Sequence, residues 1–250
     1  NHAPQLKVTA VVDIDPSRAA AMAQQTGAEA FTSLETALKH GDFEAVDIML
    51  PHNLHEEATV RAFKAGKHIV LEKPMARTMD ACERIMAAAE EAGTVFMVAE
   101  QSQYSPFAVK VQELIRDGAI GEIITARATL TERIHHVTPN EFWRYDKEIT
   151  GGGFVIDGGL HWIRPLRMWF GEVEEVVAVL GYPIEHIEGE SMAQALFRFR
   201  SGMVANFEGV TTERLNVPRE HLRVTGTKGV IVVEKGREGR KLLYTKEHPD

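Results

Sequence analysis

The sequence has a single cysteine, no apolar run long enough to cross a bilayer, and fewer cationic than anionic side chains. Each shortage excludes something. The lone thiol, Cys82, cannot close an internal disulfide, so the core must hold the fold, and a reducing compartment such as the cytoplasm is expected. Without a stretch of about 20 apolar residues, no membrane-spanning helix is predicted and no membrane partner is expected. Lys and Arg number 28 against 36 Asp and Glu, a formal charge of -8. That balance argues against nucleic acid and leaves small molecules as the ligands to look for. What is present is an ordinary globular composition: 44% hydrophobic and 26% charged over 250 residues. It suffices for one large domain or two smaller ones. The chain opens at Asn1 without methionine and enters a strand almost at once, which leaves an upstream targeting segment open.

The first hundred residues alternate short β-branched runs with helical stretches, the rhythm of a parallel sheet with crossover helices. Leu6 to Val12 reads as a strand. Asp15 before Pro16 is a helix start, and Gly27 is its stop. Ala45 to Leu50, His68 to Leu71 and Val95 to Ala99 read as further strands, with helices over Glu56 to Ala65 and Thr78 to Ala92. In the second of these, Cys82, Ile85, Met86 and Ala89 fall on one face and are expected in the core. After a helix ending at Arg116 and the Gly118 to Gly121 turn, the pattern changes. Ile123 to Leu130, Val173 to Leu180, Met192 to Phe199, Met203 to Val210 and His221 to Val224 read as strands with one long helix among them. Phe197 and Phe199, then Met203, Ala205 and Phe207, alternate about Ser201-Gly202 as a hairpin with one buried face. A domain boundary near Ser102 divides the chain into residues 1-102 and 103-250.

Two clusters can carry chemistry. Pro51-His52-Asn53-Leu54-His55 leaves one predicted strand, and Glu72-Lys73-Pro74 leaves the next. Ligands of parallel sheets sit beyond the carboxyl ends of strands, so both fall on one functional edge. On the tripeptide alone, a charged strand exit closed by proline is the simpler reading. The second cluster, Gly151-Gly152-Gly153 through Gly158-Gly159-Leu160-His161, opens the long helix ending near Phe170. Asp157, His161 and Arg164 recur at i, i+4 and i+7 as one polar stripe. A surface ion pair would explain the stripe. Two glycines within the helix point further, because each costs on the order of 1 kcal/mol relative to alanine and suggests a close neighbour. The triple glycine lacks the Gly-x-Gly-x-x-Gly form of a phosphate-binding turn and instead permits a tight helix entry. His52, His55, His135 and His136 are not completed by cysteine or carboxylate at a ligand spacing, so no metal is expected.

Pro51 to His55, Ala65 to Met75, Gly118 to Ile123, Trp143-Arg144 and Gly151 to His161, in this order, resemble the glucose-fructose oxidoreductase and inositol dehydrogenase (Gfo/Idh/MocA) family over nearly the whole chain. The resemblance implies an α/β fold: an incomplete Rossmann nucleotide-binding domain followed by an α/β domain with an open, mostly antiparallel sheet, the latter also an oligomer interface. Roughly 20 to 30 residues, the family's first strand and glycine-rich turn, have no counterpart before Asn1, and the family's pattern also runs beyond Asp250. The resemblance makes Lys73, Asp157 and His161 the catalytic residues. It places Asp13, Pro51, His52, His55, Glu72, Lys73, Gln101, Trp143 and Arg144 on the cofactor side. The cofactor is then NAD or NADP. Asp13, ending the first strand, favours NAD because a carboxylate accepts from ribose hydroxyls and repels a ribose phosphate, while nearby Arg18 keeps NADP open. Gln101 and Gln103 depart from the Asn and Arg usual in the family.

The implied activity is hydride exchange between nicotinamide and a secondary alcohol or ketone of a sugar, inositol or related polyol. His161 would be the base, Lys73 would stabilise the developing alkoxide, and Asp157 would hold a second hydroxyl and fix the imidazole. The alternative is a dinucleotide-binding sensor or assembly protein of the same fold without turnover. A homo-oligomer through the second domain's sheet is expected.

Overall fold

The computed structural model describes residues 5–133, 143–212, 220–236 and 239–246. The chain divides into two compact units, Asn1–Ala99 and Glu100–Asp250, meeting just ahead of the boundary expected near Ser102.

In the first unit, strand β1 (Ala10–Val12) is followed by helix α1 (Pro16–Thr26). The Asp15 side chain accepts from the Ser17 and Arg18 N–H groups, Pro16 occupies the first turn, and Gly27 closes the helix at φ 73°. Strand β2 (Glu29–Phe31) and helix α2 (Leu34–His40) come next, and neither was predicted. A three-residue strand is too short to show a period, and α2 is a two-turn helix recognisable mainly by its Ser33 cap. Strand β3 (Ala45–Ile48), helix α3 (His55–Lys64), strand β4 (His68–Glu72), helix α4 (Met79–Ala92) and strand β5 (Phe96–Ala99) complete the unit.

All pairings here are parallel, in two ladders, β1-β2 and β3-β4-β5. The described residues show no ladder between β1 and β3. Ile48, Ile69, Leu71, Phe63 and Ile85 form the buried core. One expected core position is corrected: Met86 is 42% exposed. The face of α4 that packs inward runs through Ala81, Ile85 and Ala89, with Cys82 half-buried beside it.

The second unit begins with helix α5 (Pro106–Arg116) and strand β6 (Ile123–Arg133). Helix α6 (Lys147–Thr150), a π-helical turn (Val155–Gly159) and helix α7 (Leu160–Phe170) follow. Then come strands β7 (Val173–Gly181), β8 (Met192–Phe199), β9 (Val204–Thr212), β10 (Glu220–Gly226), β11 (Gly229–Gly236) and β12 (Gly239–Lys246). They form one sheet in the order β12-β11-β10-β6-β9-β8-β7. Only β6 and β9 pair in parallel, so the sheet is open and mostly antiparallel as expected, with β11 and β12 added beyond the predicted strands. The predicted hairpin forms β8 and β9 about Gly202, with Phe197, Phe199, Ala205 and Phe207 buried on one face. That face meets Trp162, Leu166 and Phe170 of α7. Burial of each such aromatic contributes about 1.5–3 kcal/mol. This contact is what fixes α7, and with it the candidate site, to the sheet.

Candidate active site

The site helix is seated by glycine and phenylalanine contacts. Phe154 lies over Gly209 of β9, where an added Cβ would fall 2.2 Å from its ring, and Gly159 lies against Phe207. The Phe154 and Phe207 rings stack at 6.5 Å. The close neighbour foreseen for a glycine within the helix is therefore the sheet itself. The entry is held by Glu190, a buried carboxylate whose two oxygens accept from the Gly153 and Val155 N–H groups at 2.9 and 3.0 Å. Its backbone oxygen accepts from Phe154 N–H at 2.7 Å. One residue thus satisfies three donors at a helix start, where intrahelical acceptors are lacking.

The simple i, i+4, i+7 stripe does not survive the π-helical turn. A turn closed by i to i+5 bonds is wider than an α turn, so residues before Leu160 are rotated relative to those after it. Pro165 inside α7 adds a second irregularity, since it has no N–H to offer the His161 carbonyl one turn back. The stripe's members accordingly take different partners. The Asp157 carboxylate accepts from Arg144 at 3.1 Å, and the Arg144 guanidinium stands 5.1 Å from the Trp143 ring centroid. His161 Nδ1 lies 2.8–2.9 Å from the two carboxylate oxygens of Glu100. The Arg164 Nε donates to Gln103 Oε1 at 3.0 Å. The expectation that Asp157 fixes the imidazole is corrected: Glu100 holds it.

Glu100 is the residue missed from the sequence. It follows β5 as Glu72 ends β4, and the same strand-end logic would have found it. It is 8% exposed, and its Oε1 also accepts the Ser102 N–H at 2.8 Å. Burial pushes its carboxyl up, but the hydrogen bonds from His161 and Ser102 and the charge of the imidazole outweigh this and leave it below the usual glutamic range. Gln101 opens the 3-10 turn Gln101–Tyr104 that Glu100 caps, and is itself exposed.

In the first unit the expected cofactor residues gather beyond the carboxyl ends of β1, β3 and β4. Asp13 follows β1. Its carboxylate accepts from Arg18 Nε and Nη2 at 3.0 and 2.8 Å and from the Asp15 N–H at 2.8 Å. The Arg18 hydrogen bond outweighs a small burial penalty and holds the Asp13 carboxyl below its ordinary value. Pro51 caps the 3-10 turn His52–Leu54 after β3. The Glu72 carboxylate accepts the Lys73 N–H at 3.1 Å, and the Lys73–Pro74 peptide is cis.

Two of the expected cofactor residues, His52 and His55, are buried. His55 is fully buried, with Nδ1 2.8 Å from the Pro74 carbonyl oxygen and Nε2 2.8 Å from that of Leu50. It therefore braces the loop after β3 against the loop after β4. His52 is 4% exposed, its ring 5.6 Å from that of His55. No cluster of three metal-ligating side chains occurs among the described residues, and His135 and His136 lie outside them. No helix among the described residues is long and apolar enough to cross a membrane.

An acid, a proline turn and a lysine thus stand beyond the carboxyl ends of parallel strands, the edge at which open α/β sheets bind ligands. Residues 1–100 match the oxidoreductase family with an NAD-binding Rossmann fold, and residues 108–232 match the GFO/IDH/MocA C-terminal domain. The chain belongs to this family of NAD-dependent oxidoreductases. A levoglucosan dehydrogenase of Pseudarthrobacter phenanthrenivorans is 36% identical over 276 residues, covering 99% of this chain and 70% of the relative. A 1,5-anhydro-D-fructose reductase of Ensifer adhaerens is 29% identical, covering 90% and 68%. The crystal structure of the WlbA dehydrogenase from Bordetella pertussis in complex with NADH and UDP-GlcNAcA is similar at a TM-score of 0.87 and 25% identity, covering 100% of this chain and 72% of that one. The residues at the first unit's strand ends fit NAD: Asp13 has carboxylate oxygens for ribose hydroxyls, and the loops after β3 and β4 are held rigid by His55.

Proposed function

We propose that the protein oxidises or reduces a secondary alcohol or ketone carbon of a cyclic sugar, with anhydro-sugars the first substrates to assay. The observation that carries this reading is an imidazole on α7, His161, whose Nδ1 is bound by a buried carboxylate. Its relatives named for levoglucosan and 1,5-anhydro-D-fructose supply the substrate class. Bound NAD would supply the hydride acceptor or donor. An alcohol gives up hydride only as its hydroxyl proton leaves, and His161 takes that proton. Lys73 is assigned the cation that stabilises alkoxide charge. Asp157 and Arg144, with Trp143 beside them, would orient the remaining hydroxyls. Full-length protein mixed with NAD and levoglucosan, 1,5-anhydro-sugars, aldoses and inositols is expected to produce NADH with at least one of them. NAD binding without turnover on the whole panel would instead support the sensor alternative.

We also propose a homo-oligomer of the full-length protein, joined through the open sheet. On β7, Val176, Val177, Val179 and Leu180 are 53%, 66%, 64% and 47% exposed, a run of apolar side chains at a sheet edge. Sedimentation equilibrium is expected to give a dimer or larger, dissociated by Val177→Lys with Val179→Lys. A monomeric wild type rejects the assignment.

A further inference from the structure

We propose that Glu100 is the positioning residue of His161, a buried carboxylate that keeps the proton on Nδ1 and so reserves Nε2 for exchange with the substrate hydroxyl. This rests on the reading of His161 as the base in alcohol oxidation. The sequence arguments that single out His161 do not reach Glu100, which lies 61 residues earlier in the chain.

An imidazole can react through either nitrogen, and in water its neutral tautomers interconvert freely. A base that must meet one hydroxyl needs one of them fixed. An ionised carboxylate has no proton to give and only accepts, so the nitrogen facing it must carry hydrogen. Nδ1 faces Glu100 within 2.9 Å of both carboxylate oxygens. The lone pair of neutral His161 therefore lies on Nε2. When Nε2 takes the substrate proton the ring becomes a cation, and it then faces the Glu100 anion, whose carboxylate is largely withdrawn from solvent. Charge develops in the transition state, so this stabilisation acts on turnover more than on substrate binding.

The carboxylate is itself fixed, which separates a positioning device from a chance ion pair. Glu100 caps the 3-10 turn Gln101–Tyr104, its Oε1 bound by the Ser102 N–H. The Gln103 Nε2 donates to the Glu100 carbonyl oxygen at 3.1 Å. One helical turn beyond His161, Arg164 grips Gln103 Oε1 with Nε and Nη2. Further along, the Trp169 Nε1 donates to the Ala108 carbonyl at 3.0 Å. The turn and α5 are thus latched to α7 at successive steps, with the acid and the imidazole at the site end. Asp157, the other carboxylate of the cluster, pairs with Arg144. Gln103 acquires a role as well: as an amide acceptor it holds Arg164, which an arginine at that place could not do.

The test uses full-length protein with NAD bound and histidine labelled with 15N. Long-range 1H–15N spectra report which ring nitrogen carries the proton, and the His161 signals are identified by their loss in His161→Asn. In the wild type, the His161 pattern is expected to show hydrogen on Nδ1 only. Glu100→Gln keeps the shape but offers a donor as well as an acceptor, and Glu100→Ala offers neither. Both are expected to give mixed tautomers, with kcat lowered about a hundredfold and KM and NAD affinity within about twofold. Glu100→Asp is expected to recover part of kcat. Wild-type hydrogen on Nε2, an unchanged tautomer in both variants, or a rise in KM at constant kcat would each overturn the proposal. If Glu100→Ala fails to fold, Glu100→Gln decides. The spectra need no substrate, so a wild type inactive on every sugar would reject the proposed function while the tautomer result still judges Glu100.

Discussion

His161→Ala in the full-length enzyme is expected to cut turnover by about a hundredfold or more, with NAD affinity nearly unchanged. Removal of a general base loses the concerted transfer of the hydroxyl proton. The developing charge on the substrate oxygen must then be relieved by water, at a cost of roughly 3 kcal/mol or more in the barrier. His161 belongs to the second unit, whereas Asp13, Pro51, Glu72 and Lys73 belong to the first. The mutation therefore leaves the proposed cofactor residues untouched, and NAD binding followed by fluorescence should not move. A secondary effect follows from Glu100. Without the imidazole its buried carboxylate loses a charge-assisted partner and its carboxyl should rise toward the ordinary range, so modest destabilisation is expected as well. His161→Gln, which can still donate to Glu100, separates the two losses: turnover should stay low while thermal stability recovers. Unaltered turnover in either variant would remove His161 from its role.

The α/β alternation of the first unit could be read because its boundaries are written in local chemistry. Asp15-Pro16 and Gly27 carry a start signal and a left-handed glycine stop, and α1 begins and ends where these residues put it; in the structure Thr78 and Gly93 bound α4 in the same way. The hairpin of β8 and β9 was legible for a similar reason, since period-two alternation of aromatics needs no distant partner. What could not be read was whatever depended on a change of period or a long-range contact. The polar stripe assumed an α-helical repeat from Asp157 onward, and the π-helical turn sent Asp157 to Arg144 and His161 to Glu100. Met86 failed for a smaller version of the same reason: a face four residues wide was assigned where the packed face is narrower. The two hydrogen bonds of the His55 imidazole to carbonyl oxygens give it a bracing part that residue type cannot announce. Glu190 had no signal at all, because its partners lie 35 to 37 residues earlier in glycine-rich chain with no periodicity to mark them.

That last contact predicts the largest effect on stability. Gly153→Ala is expected to destabilise the second unit by about 3 kcal/mol or more, at or above the top of the usual range for overpacking. A Cβ at Gly153 would fall 2.1 Å from the Glu190 backbone oxygen, 2.4 Å from the Glu190 nitrogen and 2.6 Å from the Gly189 carbonyl carbon. These are all main-chain atoms, so no side chain can swing aside. Relief requires the two segments to separate, which breaks the three hydrogen bonds that Glu190 makes to the Gly153, Phe154 and Val155 N–H groups. At about 2–4 °C per kcal/mol for a unit of this size, the melting temperature should fall by about 6–12 °C. Turnover should fall too, because the same segment feeds the π-helical turn that precedes His161. Gly152→Ala is the matched control. There the nearest atom is the Ile156 side chain at 3.2 Å, which can give way, and little change in melting is expected. If Gly153→Ala melts within about 2 °C of the wild type, the main-chain approach at the helix entry is wrong. If both alanines destabilise equally, the cost belongs to glycine flexibility in general rather than to this contact.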